Sequence, residues 1–598
     1  MKRILQLFTL SLALLVQSAD AQAIPPKREF RAVWIASVTN LDWPSTKFLS
    51  PSSQRTEYTN LLNLLKPLGI NAVIVQIRPE CDALYPSPID PWSYWLTGAQ
   101  GTAPNPAYDP LQFMIDETHK RGMEFHAWFN PYRAIKTVGS YTNAASHISK
   151  VHPEWLLLYP NAVSPTEKDL DPGLPEVRAY VTSVIIDVVR RYDIDAVHWD
   201  DYFYSYSPTT TQDDSSWTKY HGSFTSRADW RRDNVNQLIK AVHDSIKAVK
   251  PYVKFGISPF GIWKSRVPAG ITGLDSYSEL YCDAPTWMAQ GWLDYLTPQL
   301  YWKITGSQDY SKLMPWWASQ MSGRHLYPGH APWHIGDAQN WSSSELPNQI
   351  RLNRSVLSSP GSVFFRAKYG VIDNLKGFAD SLKNSLYAYP ALIPAMPWKD
   401  SIPPLPPKNL TATGTLSSVT LKWQKPAPAS DGDTAKYFVV YRSTSDSVDT
   451  NDPRLIRYIS LTDTTQFVDV ISPNIQYNYV VTAFDRLHNE STVAKVGYVV
   501  LGVGEKLASS PYEYKLDQNY PNPFNPTTTI TYSLRQSDAT TLKIYDVLGR
   551  EVATLVDGFV SSGHHSVSFT GEQFASGVYF YRIISGSFVE TKKMILQK

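Results

Sequence analysis

The segment that decides the fold is Ile194-Asp195-Ala196-Val197-His198-Trp199-Asp200-Asp201-Tyr202-Phe203-Tyr204. Its largely apolar first half leads directly into two adjacent carboxylates that stand between large aromatic side chains. Because buried carboxylates are costly unless they are paired or used in chemistry, this pattern predicts a strand that ends in a functional site. The alternative interpretation is a solvated loop in which the aspartates cap a helix.

The same alternation of a short apolar strand and a helical stretch repeats along residues 28–390. The predicted strands are Arg31–Val38, Ala72–Arg78, Glu124–Asn130, Ala196–Asp200, Lys254–Pro259, Tyr295–Trp302, His325–Ala331 and Ser362–Ala367. The predicted helices are Gln54–Leu68, Leu111–Arg121, Glu176–Tyr192, Ala228–Lys250, Ser276–Gln290, Tyr310–Met321, Glu345–Leu357 and Asp373–Leu386. Eight strand–helix pairs predict a parallel sheet closed into a (β/α)8 TIM-type barrel, which we assign to residues 24–395.

Polar and aromatic residues follow nearly every predicted strand. These ends are Asn40–Pro44, Arg78–Glu80, Asn130–Arg133, Asp200–Tyr202, Ser258–Gly261, Gln299–Trp302 and His330–Trp333. Active sites of this fold lie at the carboxyl ends of the strands, so these residues are expected to share one rim.

The chemistry expected at this rim is cleavage of sugars. Aromatic residues make up 13% of the chain, and aromatic faces beside acids suit sugar rings, which have apolar C–H faces and hydroxyl edges. Glycosidic cleavage needs a proton donor for the leaving oxygen and a group that holds the developing positive charge. Asp200 and Asp201 could act together, either could pair with Glu80, and Asp42 is a third acid on the same rim.

Adjacent residues of a regular strand face opposite sides, so Asp200 and Asp201 converge only if the strand ends between them. Close like charges should raise the pKa of one acid, which suits a proton donor near neutral pH. Adjacent acids at this barrel position also occur in enzymes that use substrate assistance. There, one acid orients the 2-acetamido group of the sugar and its neighbour is the general acid/base. This analogy favours an N-acetylated sugar.

Other rim residues are expected to bind substrate. Arg78 and Arg133 could clamp a carboxylate or anchor the catalytic acids. The remaining candidates offer hydrogen bonds or aromatic stacking, although core packing is equally open for each tryptophan: Asp42, Trp43, Asn130, Tyr132, Tyr202, Gln299, Tyr301, Trp302 and Trp333. His126 and His198 are expected inside the barrel. No zinc spacing, phosphate loop or Gly-x-Ser-x-Gly sequence occurs, so we expect neither a metal nor a cofactor.

The start of the chain predicts export. Lys2 and Arg3 precede the apolar run Leu5–Val16, and small residues follow, so residues 1–23 are predicted to be a secretory signal peptide. No other segment resembles a transmembrane helix. The net charge of +2 without a basic stripe argues against a nucleic-acid partner. Cys81 and Cys282 form no disulfide framework, and whether they pair is left open.

Two further domains are predicted after the barrel. Residues 396–407 form a proline-rich linker, and 408–502 alternate as the short strands of a β-sandwich. This region resembles a fibronectin type III module, with Trp423 and Tyr479 at core positions, and is interpreted as a spacer or a binding module. A linker over 503–515 leads to a small antiparallel β domain over 516–598.

This last domain resembles the C-terminal sorting domain of type IX secretion. The motifs that carry the resemblance are Asn519–Thr528, Leu542–Val552, Ser576–Arg582 and Thr591–Leu596. It implies recognition by the type IX secretion machinery and export across the outer membrane of a Gram-negative bacterium. The mature protein would then be released or attached to the cell surface.

The barrel resembles the glycosyl-hydrolase-10-like family through Glu29–Ile35, Gln76–Tyr85, Ala127–Arg133, Asp195–Tyr204, Gly256–Trp263 and Asp294–Trp302. The resemblance implies a (β/α)8 barrel, and one bacterial class of members cleaves peptidoglycan strands stripped of their stem peptides. Ala196 and Trp199 depart from the Gly and Phe that are frequent there, which affects packing and leaves the acid pair intact.

Three functional hypotheses follow. The first is an exported glycoside hydrolase acting on an N-acetylated bacterial glycan such as peptidoglycan strands. The second is a secreted hydrolase of environmental polysaccharides. The third is a carbohydrate-binding or adhesion protein whose barrel has lost turnover.

Overall fold

A computed structural model of the chain describes residues 24–159, 167–356, 358–415, 417–460, 464–472, 475–499 and 513–598. The predicted signal peptide over 1–23 and most of the predicted linker over 503–515 lie outside the described residues. The chain divides into two units, one ending at Val499 and the other beginning at Val500.

Eight parallel strands form the barrel in the first unit. They are β1 (Phe30–Ile35), β2 (Ala72–Arg78), β3 (Glu124–Phe129), β4 (Ala196–Trp199), β5 (Lys254–Ile257), β6 (Tyr295–Leu296), β7 (His325–Leu326, resumed at Gly329–His330) and β8 (Gly361–Phe364). Each strand pairs with the next, and β8 pairs with β1. The first half of β7 pairs with β6 and its second half with β8, which closes the ring. The predicted TIM-type barrel is therefore confirmed.

The strands are shorter than predicted at their carboxyl ends. Strand β4 ends at Trp199, so both Asp200 and Asp201 lie in the following loop. Strand β6 has two residues in place of the predicted Tyr295–Trp302, and β7 is interrupted at Tyr327-Pro328. Prolines 298 and 328 lack the N–H that a ladder needs, which accounts for both breaks.

Twelve α-helices are described, many of them packed around the barrel. They are α1 (Pro51–Leu65), α2 (Tyr94–Thr97), α3 (Pro110–His119), α4 (Ile148–Val151), α5 (Pro175–Arg191), α6 (Asp214–Tyr220), α7 (Arg227–Val249), α8 (Ser276–Glu279), α9 (Ala284–Ala289), α10 (Tyr310–Ser319), α11 (Glu345–Arg354) and α12 (Phe378–Ser381). The predicted helix Ser276–Gln290 is wrong, because α8 and α9 are separate short helices. The predicted helix Asp373–Leu386 is also wrong, since Gly377 turns left-handed at φ 77° and only short turns surround α12.

The barrel interior contains a buried polar cluster. The Tyr295 hydroxyl bonds to Nδ1 of His126 at 2.8 Å and Nδ1 of His198 at 3.0 Å. Trp34 Nε1 donates to His198 Nε2 at 3.2 Å. Burial, with the nearby His126, holds the pKa of His198 well below its usual range. These histidines support the strands beneath the rim.

Residues 408–499 form two antiparallel sheets, as the all-β prediction requires. The first contains Lys408–Gly414, Ser418–Gln424 and Gln466–Val470, and the second contains Ile456–Ile459, Tyr437–Ser443, Gln476–Phe484 and Ala494–Val499. Trp423 packs edge-on against Phe438 with ring centres 5.6 Å apart. We call this region the sandwich.

The sandwich packs on the barrel end that is opposite the rim. His488 contacts Glu124, the first residue of β3, at 2.6 Å. Lys27 forms an ion pair with Glu490, and Leu392 packs with Val439 among apolar side chains. Because these contacts lie at the amino ends of the strands, they leave the carboxyl rim uncovered.

The second unit consists of two further antiparallel sheets. One contains Lys515–Leu516, Thr527–Leu534 and Gly563–Thr570, and the other contains Asp538–Tyr545, Glu551–Val560, Gly577–Ser585 and Phe588–Leu596. Leu542, Ile544 and Tyr581 lie in the apolar core between them. Among the helices described in either unit, none has the length and apolar character to cross a membrane.

Candidate active site

The two oxygens of Asp200 have different surroundings. Oδ2 accepts hydrogen bonds from Trp128 Nε1 at 3.3 Å and from Asn130 Nδ2, both at the end of β3. Oδ1 is also buried, but it accepts no hydrogen bond from any described residue within 3.5 Å. One oxygen is therefore fixed in place, whereas the other has no side-chain donor and lies in a carboxyl group on which the backbone N–H of Tyr202 also acts.

Burial raises the pKa of Asp200 to about 7. The guanidinium of Arg133 opposes this rise, and the neighbouring carboxylate of Asp201 adds to it. Burial also raises the pKa of Asp201, against the hydrogen bond from the Tyr206 hydroxyl and the approach of Gln299. The pair therefore holds a proton near neutral pH, as general acid catalysis requires.

Arg133 connects the acid pair to a neighbouring strand. Its guanidinium stacks over the Tyr202 ring at 4.8 Å, and its Nε donates to the carbonyl of Pro79 at 3.2 Å. Its Nη2 is buried without a described partner. The charges of Asp200 and Asp169 act on it and raise its pKa against the effect of burial.

Asp169 is a site residue that the sequence analysis missed. The strand Glu167–Leu170 pairs with Arg133–Ile135, and Asp169 stands opposite Arg133. Its Oδ1 is buried without a described partner, and burial followed by the charge of Glu167 raises its pKa well above the usual range. The acids of Glu167-Lys168-Asp169-Leu170-Asp171 recur at every second position, which is the strand signal that would have found them.

Partly exposed aromatic rings line the rim in two groups. One group runs through Tyr202, Tyr206, Phe260 and Trp302, with successive ring centres 5.7, 6.2 and 5.6 Å apart. The other contains Tyr301, Trp333 and Phe365, with centres 4.8 Å apart between the first two and 5.6 Å between the last two. Tyr206, Phe260 and Phe365 were not among the predicted site residues. Such edges and faces can stack on sugar rings.

Comparison with known proteins identifies the family. Residues 29–344 match the Glycosyl hydrolase-like 10 family. The chain is also 43% identical over 494 residues to the glycosyl hydrolase YngK of Bacillus subtilis (strain 168), covering 80% of this chain and 94% of YngK. The chain belongs to the Glycosyl hydrolase-like 10 family.

A second relative agrees with this membership. The glycosyl hydrolase DigH of Escherichia coli (strain K12) is 41% identical over 371 residues, covering 57% of this chain and 83% of DigH. Among solved structures, the PgaB (BpsB) glycoside hydrolase domain from Bordetella bronchiseptica superposes with a TM-score of 0.40 at 13% identity, over 60% of this chain and 99% of that one. The family match and the identity to YngK and DigH show that this member of the Glycosyl hydrolase-like 10 family is a glycoside hydrolase.

The tail of this glycosyl hydrolase has its own match. Residues 518–597 match a secretion system C-terminal sorting domain. The resemblance that the tail motifs predict is thereby confirmed. The hydrolase is a secreted or cell-surface protein that interacts with the secretion machinery through this domain.

Several predicted binding residues of this glycosyl hydrolase lie in its core. Trp43 is completely buried and donates through Nε1 to the carbonyl of Gln54 at 2.8 Å. Arg78 forms a buried ion pair with Asp90 at 2.7 Å. Tyr132 is also buried, so none of the three offers a surface to a sugar. These three residues were predicted to bind substrate because they lie near strand ends, but that position in the sequence does not distinguish core residues from rim residues.

Asp42 and Glu80 are engaged in internal contacts. Asp42 accepts hydrogen bonds from the backbone of Ala36 and Lys368 at 3.0 Å and pairs with Arg366 at 3.0 Å. Glu80 accepts from the backbone of Lys136 at 2.5 Å, from Trp95 Nε1 at 2.6 Å and from the Tyr141 hydroxyl at 3.2 Å. Their geometry favours a supporting role for both acids.

The remaining predicted residues converge on the acid pair or on the rim. Asn130 holds Asp200, and Gln299 approaches Asp201 while donating to the carbonyl of Ser258 at 3.1 Å. Tyr202, Tyr301, Trp302 and Trp333 are the partly exposed rings described above. Cys81 and Cys282 are both buried and unpaired.

Proposed function

We propose that this hydrolase cleaves glycosidic bonds in an N-acetylated bacterial glycan such as peptidoglycan strands without stem peptides, using Asp200 and Asp201. The observation that carries the proposal is the oxygen of Asp200 that has no side-chain donor, buried beside Asp201 at the carboxyl end of β4. An acid held at a pKa of about 7 keeps a proton to donate at neutral pH. The two aromatic groups of the rim provide surfaces for sugar rings.

In the proposed reaction, Asp200 protonates the glycosidic oxygen as the bond from that oxygen to the anomeric carbon breaks. Asp201, held by Tyr206, accepts a hydrogen bond from the N–H of the 2-acetamido group. The acetamido carbonyl oxygen bonds to the anomeric carbon as the glycosidic bond breaks, so the positive charge moves to the resulting oxazolinium ring, whose N–H faces the carboxylate of Asp201. Asp200, now a carboxylate, takes a proton from the water that opens this ring, and it returns to its starting state.

The substrate part of the proposal rests on the adjacent acids and on the sequence resemblance. Paired acids that orient an acetamido group suit N-acetylated sugars. The proposed reaction needs neither a metal nor a redox partner, since it transfers protons and adds one water molecule.

The decisive experiment is mass spectrometry of digests of peptide-free peptidoglycan strands. We expect shortened glycans from the full chain, and at least a hundredfold slower cleavage by Asp200→Asn and Asp201→Asn, because removing a positioned acid costs about 10²–10⁴ in rate. Asp244→Asn, an exposed aspartate in the second half of helix α7, is the matched control. Undiminished turnover by both rim variants would remove the acid assignment.

The same digests distinguish the other two hypotheses. Cleavage of plant or algal polysaccharides without cleavage of peptidoglycan strands would favour an environmental hydrolase. Saturable glycan binding without any product from the unaltered chain would favour a binding or adhesion protein.

We also infer that the protein reaches the surface of a Gram-negative bacterium through the type IX machinery. The support is the match of residues 518–597 to a secretion sorting domain. In a host with that machinery, deletion of 513–598 should retain the hydrolase inside the outer membrane. Unchanged secretion of the deleted form would contradict this route.

A further inference from the structure

A cavity opens on the rim in the loop that follows β6. Its volume is about 330 Å³, and most of its wall comes from residues 302–308. Gln339, from the loop after β7, also lines it. This volume lies at the lower end of the range for small-ligand sites, which suits a single sugar ring. We call this space the Trp302 cavity, and it takes no part in the reaction proposed above.

A line of aromatic rings connects the acid pair with the Trp302 cavity. The Tyr206 hydroxyl donates to Asp201, and the centre of the Tyr206 ring lies 6.2 Å from that of Phe260. The Phe260 ring in turn lies 5.6 Å from Trp302. A glycan strand is longer than the two sugars that flank a cleaved bond, so a strand bound at the acids extends beyond them. These rings lead such a strand from Asp201 to the cavity.

Two side-chain amides in the wall have hydrogen-bonding capacity to spare. Gln308 is half-buried beside Gly273, and its amide forms no hydrogen bond within 3.5 Å with any residue that the structure describes. Gln339 accepts from Trp341 Nε1 at 3.0 Å and donates to His334 Nε2 at 3.1 Å. Because an amide nitrogen carries two N–H groups, Gln339 is held in place and still has one of them to donate. Amides of this kind match the hydroxyl and acetamido groups of a sugar.

The backbone of the wall is fixed in an uncommon conformation. Thr305 has a φ of 96° and Gly306 a φ of 101°, and the first value is rare for a β-branched residue. The Thr305 N–H donates to Asp309 Oδ1 at 2.9 Å, and the Ile304 N–H donates to Glu345 Oε1 at 2.7 Å. Such a conformation persists only where surrounding contacts impose it. The cavity is therefore shaped in advance, which lowers the cost of ordering it around a ligand.

Lys303 supplies a positive charge to the lining of the cavity. Its side chain is exposed and forms no ion pair with any acid among the described residues. The lining that the structure describes contains no aspartate or glutamate, so an anion would meet no carboxylate in the wall. An unpaired ammonium beside an aromatic ring and two amides suits a sugar that carries a carboxylate.

We propose that the Trp302 cavity binds a carboxylate-bearing sugar of the glycan strand, at a distance from the bond that is cleaved. For the class of glycan this rests on the proposed function, since the lactyl ethers of peptidoglycan strands without stem peptides end in free carboxylates. Trp302 stacks on the sugar ring, and Gln308 and Gln339 bond to its polar substituents. Lys303 bonds to the carboxylate. The cavity thereby selects the strand and sets its register on the acid pair.

The test is calorimetric titration of the full chain carrying Asp200→Asn, in which turnover is suppressed. The two probes are a hexasaccharide from peptide-free peptidoglycan strands and chitohexaose, which has the same length without lactyl groups. We expect the first to bind about threefold more tightly, because an exposed ion pair contributes little. Adding Gln308→Ala should weaken the binding of both by about threefold or more, because a hydrogen bond is lost, with an unchanged Tm as the sign of a folded chain.

A second substitution tests the carboxylate separately. Lys303→Met should bind the two hexasaccharides equally, whereas Lys247→Met, which replaces an exposed lysine of helix α7, should keep the preference. Lys303 is exposed, so loss of folding does not confuse this comparison. A preference that persists in Lys303→Met, or equal affinity for both probes with Lys303 in place, would overturn the carboxylate assignment.

The proposal fails if Gln308→Ala and the Lys247→Met control bind both probes with the same Kd, or if neither probe binds saturably. Because binding is measured without turnover, this failure is distinguishable from failure of the proposed function. Cleavage of peptidoglycan strands together with binding that ignores Gln308 would contradict the cavity alone. Binding that depends on Gln308, without cleavage of those strands by the unaltered chain, would contradict the proposed function alone.

Discussion

At the residue scale, Asp200 is a buried carboxyl group whose raised pKa lets it act as a proton donor. Its pKa of about 7 makes the protonated form available at neutral pH but removes it in alkaline solution. We expect kcat/KM on peptide-free glycan strands to fall about tenfold per pH unit above pH 7 to 8. A pH–rate profile measures this, and a rate that keeps rising to pH 9 would show that Asp200 is not the donor.

The same carboxyl group makes the folded state sensitive to pH. A group whose pKa is raised on folding binds more protons in the folded state, so stability is lost as the pH rises from about 4 to about 7. Asp200→Asn can keep the hydrogen bonds of Trp128 and Asn130 through its amide oxygen and carries no charge. We expect its Tm to exceed that of the unaltered protein by about 1–2 °C at pH 8, with no gain at pH 4. A lower Tm at pH 8 would show that the ionised carboxylate stabilises the fold.

At the element scale, the paired strands Arg133–Ile135 and Glu167–Leu170 adjust the acid pair from one side. Arg133 lowers the pKa of Asp200, so removing its charge should raise that pKa. We expect Arg133→Met to move the alkaline limit of the pH–rate profile upward by about half a unit or more, and Arg133→Lys to move it less. If both variants keep the alkaline limit of the unaltered protein, Arg133 has a packing role alone.

The aromatic groups of the rim belong to the loops after β4, β5, β6, β7 and β8. Because Trp333 is partly exposed in the loop after β7 and carries no titratable group, its ring should bind substrate and transition state equally. We therefore expect Trp333→Ala to raise KM about tenfold with little change in kcat. Trp43→Phe is the control. Because Trp43 is buried, this substitution should lower Tm and leave KM unchanged. A fall in kcat alone for Trp333→Ala would contradict a binding role.

The elements that the sequence predicts well are those with an abrupt change of pattern. The apolar run before Asp200 ends at two charges, so the strand and its site can both be read from it. The strand Glu167–Leu170 lies inside a loop, and its strand signal is the short alternation of acids that ends at Asp171, which was not used beside the eight predicted strands of the barrel. Trp43 and Trp333 both follow strand ends, and only tertiary packing places the first in the core and the second on the rim.

At the scale of the whole molecule, the position of the sandwich was not predictable, because its contacts join residues hundreds of positions apart. The proline-rich segment over 396–407 predicted only a semi-rigid linker between the barrel and the sandwich. The structure instead places His488 and Glu490 against Glu124 and Lys27 at the amino ends of the strands. The barrel and sandwich consequently form one unit, in which the sandwich contacts the end of the barrel opposite the rim.

This arrangement predicts that the barrel and sandwich unfold together. Glu124 is buried at their junction, where it forms an ion pair with Lys254 and accepts hydrogen bonds from His126 and His488. Burial would raise the pKa of Glu124, but the charge of Lys254 holds that pKa well below its usual range. The stabilisation by the ionised Glu124 is therefore complete at pH 7 and is lost only in acid. Glu124→Gln leaves Lys254 buried without its partner, which costs about 3–5 kcal/mol. We expect calorimetry at pH 7 to show the one transition of residues 24–499 moving to lower temperature, whereas the exposed Glu154→Gln leaves it unchanged. Two transitions, of which Glu124→Gln moves only one, would show instead that the sandwich is an independent module.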